Sequence, residues 1–512
     1  MTLLPHSRRL LAALVLLASA CRAGGSETPD RQPPLRLRID PSKTYQTIEH
    51  FGASDAWSCQ FIGTWPLARK NAIADLLFSR DTLADGRPKG IALSLWRFNI
   101  GAGTAEQGSG SGIGDEWRRT ESFAVPGKGY DWNRQAGQVW FLEAARDRGV
   151  PSFLAFSNTP PVTLTVNGKG YATNGQANIR EERFDAFATY LADVLDGIRT
   201  KTGIAIQYLS PFNEPQWDWS DGGQEGTPIF NDQLAPAVRK ISAALLKRNS
   251  PTLISLPESA QINYIYSDFN RPGRGSQVQS FFTAASANYL GDLKNVDKAI
   301  SGHSYFTTSP YAAAAQQRKT LAGAFPAGVR YWQSEYCVLG DNEGEINGNG
   351  RDLSMTSALY VARVIHNDLV NANASAWHWW LAVSPYDYKD GLVYVDKNKT
   401  DGQYYSSKLL WAMGNFSRFV RPGAVRVSVT DTDPADGLLV SSYRNTDNQL
   451  VTVLINSRPE AREVQLDQAD RALAPVRVYE TSETRDLAPV TVSAGGTLTL
   501  APRSVVTVIS RL

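Results

Sequence analysis

The sequence predicts an α/β fold, a closed (β/α)8 TIM barrel, with an appended antiparallel β-sandwich domain. Three observations predict it. The chain has 512 residues, 42% of them hydrophobic and 20% charged, ample for a large core and too long for one ordinary domain. From about residue 47 to 420, short β-rich apolar runs alternate with helix-period segments, the pattern of parallel strands joined by crossover helices. After Pro422 the helical period disappears and short strands follow one another between Asp, Asn, Gly and Pro turns.

At the amino terminus, Arg8 and Arg9 precede an apolar run, then small residues Ala18, Ser19 and Ala20, then Cys21. A basic stretch, a short apolar stretch and a small-residue cleavage region predict an export signal over residues 1–21, too short for a typical spanning helix. Cys21, placed just after that region, resembles the acylated cysteine of a bacterial lipoprotein; Ala18 stands where such signals usually carry Leu. A lipid-anchored, cell-surface or periplasmic protein and a freely secreted one both fit. Residues 22–34 are polar and proline-bearing, as a tether should be. Residues 35–46 open with alternating apolar and basic side chains and should add a strand to the carboxyl-terminal sandwich.

The barrel is expected over 47–420. Its strand candidates are 48–53, 91–100, 152–157, 204–212, 252–257, 299–305, 330–336 and 375–381, with helical patterns such as 67–79, 133–148, 181–200, 232–247 and 355–370 between them. In the third helix Phe184, Phe187, Ala188, Leu191, Val194, Leu195 and Ile198 recur at helical spacing and mark a buried face. An open doubly wound sheet would want a Gly-rich phosphate turn after its first strand, and Phe51-Gly52-Ala53-Ser54 is not one. The sandwich, over 421–512, should use 425–429, 438–443, 450–455, 463–466, 476–480, 496–500 and 504–509.

Acidic and basic side chains nearly balance at a formal net charge of +2, so no polyanion-binding field is expected and nucleic acid is a poor partner. The mature chain keeps only Cys59 and Cys337; a disulfide between them is chemically allowed after export, but two buried free thiols are the preferred reading. No close-spaced ligand set suggests a metal; His303 and His378 at strand ends would still need a third ligand. The chain is expected to need no cofactor and to work as a monomer. The 13 Trp and 20 Tyr are either core or flat faces for sugar rings.

Catalytic side chains of such barrels lie where strands end. The fourth strand ends Pro211-Phe212-Asn213-Glu214-Pro215 and the seventh ends Trp332-Gln333-Ser334-Glu335-Tyr336. Two carboxyls across a barrel mouth suit glycoside cleavage, which needs one protonated to meet the leaving oxygen and one ionised to attack or guide water. A lone Glu at a strand end is more often a salt-bridge partner or a rim residue than a catalyst; Glu258, after the fifth strand, is such a control.

What separates Glu214 and Glu335 from Glu258 is a resemblance. Asn213-Glu214-Pro215 with Glu335 resembles the clan A retaining glycosidases, in which the Asn-Glu motif carries the acid/base and the seventh-strand Glu the nucleophile. Phe51 to Trp57, Trp96 to Gly101, Ser157 to Pro161, His303-Ser304-Tyr305 and Trp377-His378-Trp379 are similar to strand-end motifs of glycoside hydrolase family 30. That family's plan, a barrel followed by a sandwich holding an amino-terminal strand, covers nearly all of residues 35–512.

The resemblance implies an O-glycosyl hydrolase with Glu214 as general acid/base and Glu335 as nucleophile. It implies that Asn213 binds the sugar 2-hydroxyl, that Tyr305 steadies Glu335, and that Arg97 pairs with active-site carboxylates, a purely structural ion pair being the alternative. Asp55 would meet hydroxyls and Trp379 would floor the sugar, with Trp57 and Trp217 shaping neighbouring subsites and Asn99, Asn158 and His303 completing the substrate-binding set. One departure stands out: Val162-Thr163-Leu164 follows Pro160-Pro161, where many members carry aromatic residues or Trp-Met. The opening Gly-Ala-Ser-Asp-Ala-Trp is most similar to members cutting β-1,6-linked galactan. Members cutting β-1,6-glucan differ at one C4 hydroxyl; xylanase and glucosylceramidase activities, a catalytically inactive carbohydrate-binding protein and a surface scaffold are the other readings.

Overall fold

The computed structural model describes residues 33–430, 432, 437–468, 471–491 and 496–512. The expected export signal and residues 22–32 of the expected tether lie outside the described residues. Among the described residues, no helix is long and apolar enough to cross a membrane.

The barrel closes through strands His50–Ser54, Leu95–Ile100, Ser152–Ser157, Tyr208–Ser210, Leu253–Ser259, Val296–His303, Arg330–Glu335 and Ala376–Ser384. Every neighbouring pair is parallel, and the eighth strand pairs with both the first and the seventh. Helices Leu67–Phe78, Ala136–Asp147, Phe184–Thr202, Asn231–Lys247, Tyr311–Gly323 and Met355–Asn371 lie among the crossovers. The second strand shows how alternation builds the site. All six residues of Leu95–Ile100 are buried, because a barrel strand has helices on one face and the interior on the other. Trp96 packs edge-on to Phe78 of the first of these helices at 4.9 Å and stacks near Phe141 of the second at 6.0 Å. Arg97, the next residue, therefore projects to the opposite face, inside the barrel.

The fourth strand is shorter than its apolar run. Tyr208–Ser210 pairs with the third strand and only Tyr208 and Leu209 also with the fifth; the strand stops before Pro211, which has no N–H for the ladder. Gly137 marks a close approach: a Cβ built there would lie 2.2 Å from the Gln60 carbonyl oxygen, so the helix backbone rests on the turn after the first strand.

In the carboxyl-terminal sheet, the amino-terminal strand Leu35–Thr47 lies between Val425–Thr430, antiparallel, and Arg462–Gln468, parallel. Leu438–Arg444, Gln449–Asn456, Ser504–Arg511, Pro475–Ser482 and Arg485–Pro489 follow in ladder order. Alternation divides these strands between two cores. Leu450, Leu454, Val506 and Val508 join Leu37 and Ile39 inside the sandwich, while Val451, Val453, Ile455, Val505 and Ile509 join the barrel's core. Asn415 of helix Lys408–Ser417 stitches the seam, donating to Thr507 Oγ1 at 2.9 Å and accepting from Thr481 Oγ1 at 2.7 Å.

Candidate active site

The chain leaves the fourth strand through Pro211 and reaches Glu214 with φ of 47°, a left-handed backbone that costs a non-glycine residue about 1–3 kcal/mol. Two hydrogen bonds hold it there: Glu214 N donates to Glu258 O at 2.9 Å, and Trp219 Nε1 donates to Glu214 O at 3.0 Å. Glu335 is the last residue of the seventh strand, its carbonyl accepting from Gln333 Nε2 at 2.6 Å. The pairing with the sixth strand shifts register between Gln333 and Glu335.

Behind these carboxyls lies a buried charge network. Arg97 Nη1 donates to Glu335 Oε2 at 2.9 Å, and Tyr305 Oη donates to Glu335 Oε1 at 3.0 Å. His303 bridges two acids, with Nδ1 at 2.8 Å from Glu214 Oε1 and Nε2 at 3.1 Å from Glu258 Oε2. Ser334 Oγ also donates to Glu258, and Arg97 Nη2 stands 3.9 Å from the same carboxylate. One ligand atom each of Glu214, His303 and Glu335 lie within 4.8 Å of one another. Carboxyls so close match the roughly 5–5.5 Å of retaining glycosidases rather than the roughly 6.5–9.5 Å that leaves room for water in inverting ones.

The surroundings push the two acids near His303 in opposite directions. Burial raises Glu214 to about 7, against the pull of His303 and with help from Glu335 and Glu258. Burial also works to raise Glu258, but Arg97, His303 and Ser334 overcome it and hold this carboxyl below its usual value. Burial alone would discharge His303, yet the charge of Glu335 and the hydrogen bonds to Glu214 and Glu258 raise it to about 10. His303 is thus an imidazolium at neutral pH, donating through both nitrogens. The ligand atoms of the Glu214–His303–Glu335 cluster are engaged by one another and by Arg97, Tyr305 and Glu258.

Asn213, Glu214, Trp217, Tyr305, Glu335 and Trp57 line one cleft of about 610 Å³. Arg97 and His303 are fully buried behind it. Asp55 and Trp379 are fully buried and, with Asn99 and Asn158, are not among the cleft-lining residues. Asp55 instead accepts from Asn99 N at 2.8 Å and from Gln138 Nε2 at 3.3 Å, fastening the first strand's end to the second. Trp379 packs within the barrel wall, 6.0 Å from Tyr336, and donates to Asp390 O at 2.7 Å. Its neighbour Trp380 takes the cleft position, 5.3 Å from Trp57. Alternation decides it: His378 packs on His50 inside the barrel, so Trp380, two residues on, shares that face, while Trp379 stacks with Trp377 on the other.

Glu258, Arg118, Trp219, Phe306, Cys337 and Asp390 were not legible as site residues. Only Glu258 had a signal, its place at a strand end. Val162 donates its N–H to Ala102 O at 2.9 Å and lies outside the cleft, where Trp217, Trp219 and Phe306 supply the aromatic wall. Cys59 and Cys337 are both buried and free.

The family model described as O-Glycosyl hydrolase family 30 matches residues 34–394. The chain belongs to that family. A second model, the glycosyl hydrolase family 30 beta sandwich domain, matches residues 423–508. The protein is therefore an O-glycosyl hydrolase on the family's bipartite fold. The crystal structure of a conserved exported protein from Bacteroides fragilis is 33% identical, with a TM-score of 0.85 over 92% of this chain and 99% of that one. An endo-beta-1,6-galactanase of Hypocrea rufa is 23% identical over 78% of this chain and 77% of its own length. The catalytic domain of a xylanase C from Talaromyces cellulolyticus, 22% identical, shares the fold at a TM-score of 0.68 over 93% of this chain and 100% of its own.

Proposed function

We propose that this protein cleaves β-1,6-linked galactan with retention of configuration, using Glu214 as acid/base and Glu335 as nucleophile. The observation that carries the mechanism is the meeting of Glu214 and Glu335, oxygens within 4.8 Å, in one cleft. In the first step protonated Glu214 gives its proton to the glycosidic oxygen while Glu335 attacks the anomeric carbon, forming a glycosyl ester. Arg97 and Tyr305, each holding one oxygen of Glu335, orient the attacking carboxylate. Asn213 Oδ1, buried and without a protein partner, accepts from the sugar 2-hydroxyl as positive charge grows at the anomeric carbon.

The second step needs Glu214 as a base. Esterification removes the charge of Glu335, which had helped raise Glu214, while the His303 imidazolium still favours the carboxylate. The acid therefore loses proton affinity when a base is required. The residues supply all the chemistry, and no cofactor is needed.

The substrate rests on the Gly52 to Trp57 segment and the galactanase relative. Export, by an acylated Cys21 or by plain secretion, would bring the protein to polysaccharide outside the cytoplasm. The test is the products released from β-1,6-galactan, β-1,6-glucan and glucuronoxylan in parallel, with the anomer first formed followed by NMR. Galactan cleavage giving the β-anomer first is expected. Preference for glucan or xylan would overturn the substrate, an initial α-anomer the mechanism, and no release from any β-glycoside would leave a binding protein.

A further inference from the structure

Opposite the Trp217 and Phe306 side of the cleft, the loops after the first, second and eighth strands bring together polar atoms that the mechanism does not use. Asp390 is 6% exposed, lines the cleft, and has its Oδ1 buried without a hydrogen-bond partner in the protein. A buried carboxyl oxygen left unpaired is costly unless something brought to it donates a hydrogen bond. Arg118 lines the same wall, its guanidinium 5.1 Å from the Trp57 ring and 5.4 Å from that of Tyr386. Its Nε is likewise buried and unpaired, while its Nη1 reaches the Gly223 carbonyl at 3.4 Å.

Several contacts put this wall beside Glu335. Cys337 also lines the cleft, with Sγ 3.9 Å from the Tyr305 hydroxyl that donates to Glu335. Asp390 and Cys337 line this same cleft. Trp57, Trp380 and Tyr386 supply flat faces around the polar atoms. An unpaired acceptor, an unpaired donor and aromatic rings are what a pyranose ring needs: its hydroxyls both give and accept, and its C–H faces are apolar.

We propose that Asp390 and Arg118 form a hydroxyl clamp on the sugar ring that Glu335 attacks, and that this clamp sets which sugar is accepted. The inference rests on the proposed role of Glu335 and deepens it by naming residues that read the ring. Asp390 accepts from one ring hydroxyl, and Arg118 donates to the oxygen of the same or an adjacent one. Burial raises the Asp390 carboxyl to about 7, although Ser384, Arg118 and Arg351 pull it down. A hydroxyl bound there replaces hydration that the site denies it.

The experiment measures kcat/KM for the aryl β-glycoside that the wild type turns over, and for its 3-deoxy, 4-deoxy and 6-deoxy analogues. Wild type, D390A, D390L and R118M are compared, with thermal melting to confirm the fold. The wild type should lose about 10- to 100-fold or more on one analogue. D390A and R118M should each lose about as much on the parent glycoside and discriminate little further against that analogue, since the interaction is already gone. D390L fills the same space without an acceptor and should show the same loss of discrimination if D390A proves unstable. The clamp is overturned if the variants keep the wild-type ratio for every analogue, or keep wild-type kcat/KM on the parent. Failure of the glycosidase reading itself looks different: the wild type would then leave every β-glycoside intact, and the clamp would fall with it.

Discussion

Replacing Glu214 by Gln keeps the shape of the protonated side chain but prevents it from ionising, which separates the stability cost of this acid from its catalytic use. Burial raises Glu214 from 4.5 to about 7. Below pH 4.5 both folded and unfolded chains hold the proton, and Glu214 costs nothing. Between pH 4.5 and 7 the unfolded chain loses it while the folded chain keeps it, so stability falls as pH rises, and above 7 the loss is complete. At about 1.4 kcal/mol for each tenfold change in proton affinity, the full cost is about 3 kcal/mol. Glu214→Gln should therefore match the wild type in urea unfolding at pH 4 and exceed it by about 3 kcal/mol at pH 8. The same variant should lose about 10²–10⁴-fold on substrates with poor leaving groups, and far less on activated aryl glycosides, whose first step needs little proton transfer. Wild-type kcat/KM should in turn fall above about pH 7, where the acid has lost its proton. A stability gap equal at pH 4 and pH 8, or equal slowing of both substrate classes, would refute the reasoning.

Three further outcomes are expected. Glu335→Ala should abolish hydrolysis, and azide should restore turnover with an inverted glycosyl azide as product, which also shows that the variant is folded; wild-type activity in this variant would remove the nucleophile assignment. Glu258→Gln leaves the buried Arg97 and His303 facing a neutral group, and breaking a buried ion pair from one side costs about 3–5 kcal/mol; unchanged denaturant midpoints would show that Glu258 is not coupled to them. Gly137→Ala would drive a methyl group to 2.2 Å from the Gln60 carbonyl oxygen, forcing helix Ala136–Asp147 off the first strand's turn at a cost of about 1–3 kcal/mol or more. A calorimetric melt within error of the wild type would refute that packing.

The strand-end positions of Glu214 and Glu335 were readable because their signals are local; what set them apart from Glu258 was the resemblance. Each Glu follows an apolar run, and the place of that run in the strand–helix alternation puts it at the carboxyl face of a barrel. Glu258 had the same local signal and was set aside as a control, although the structure places it 3.1 Å from His303. No property of residues near position 258 shows that strands five and six bring these side chains together. Trp379 and Trp380 illustrate the finer limit: adjacent tryptophans with the same propensities take opposite faces of one strand, Trp380 sharing the inward face with His378 and Trp379 the outward face with Trp377.

Composition and periodicity by themselves determined the barrel, the all-β appendage and the positions of two acids at strand ends, because burial imposes its period on every segment separately. Tertiary structure alone decided which side chains share the cleft, that Glu214 sits near 7 with His303 charged beside it, and that Asp55 serves as a fastener inside the wall. Those outcomes depend on register, on desolvation and on charges brought together from strands two, four, five, six and seven. Electrostatic energy depends on distance through space, and separation along the chain does not reveal it.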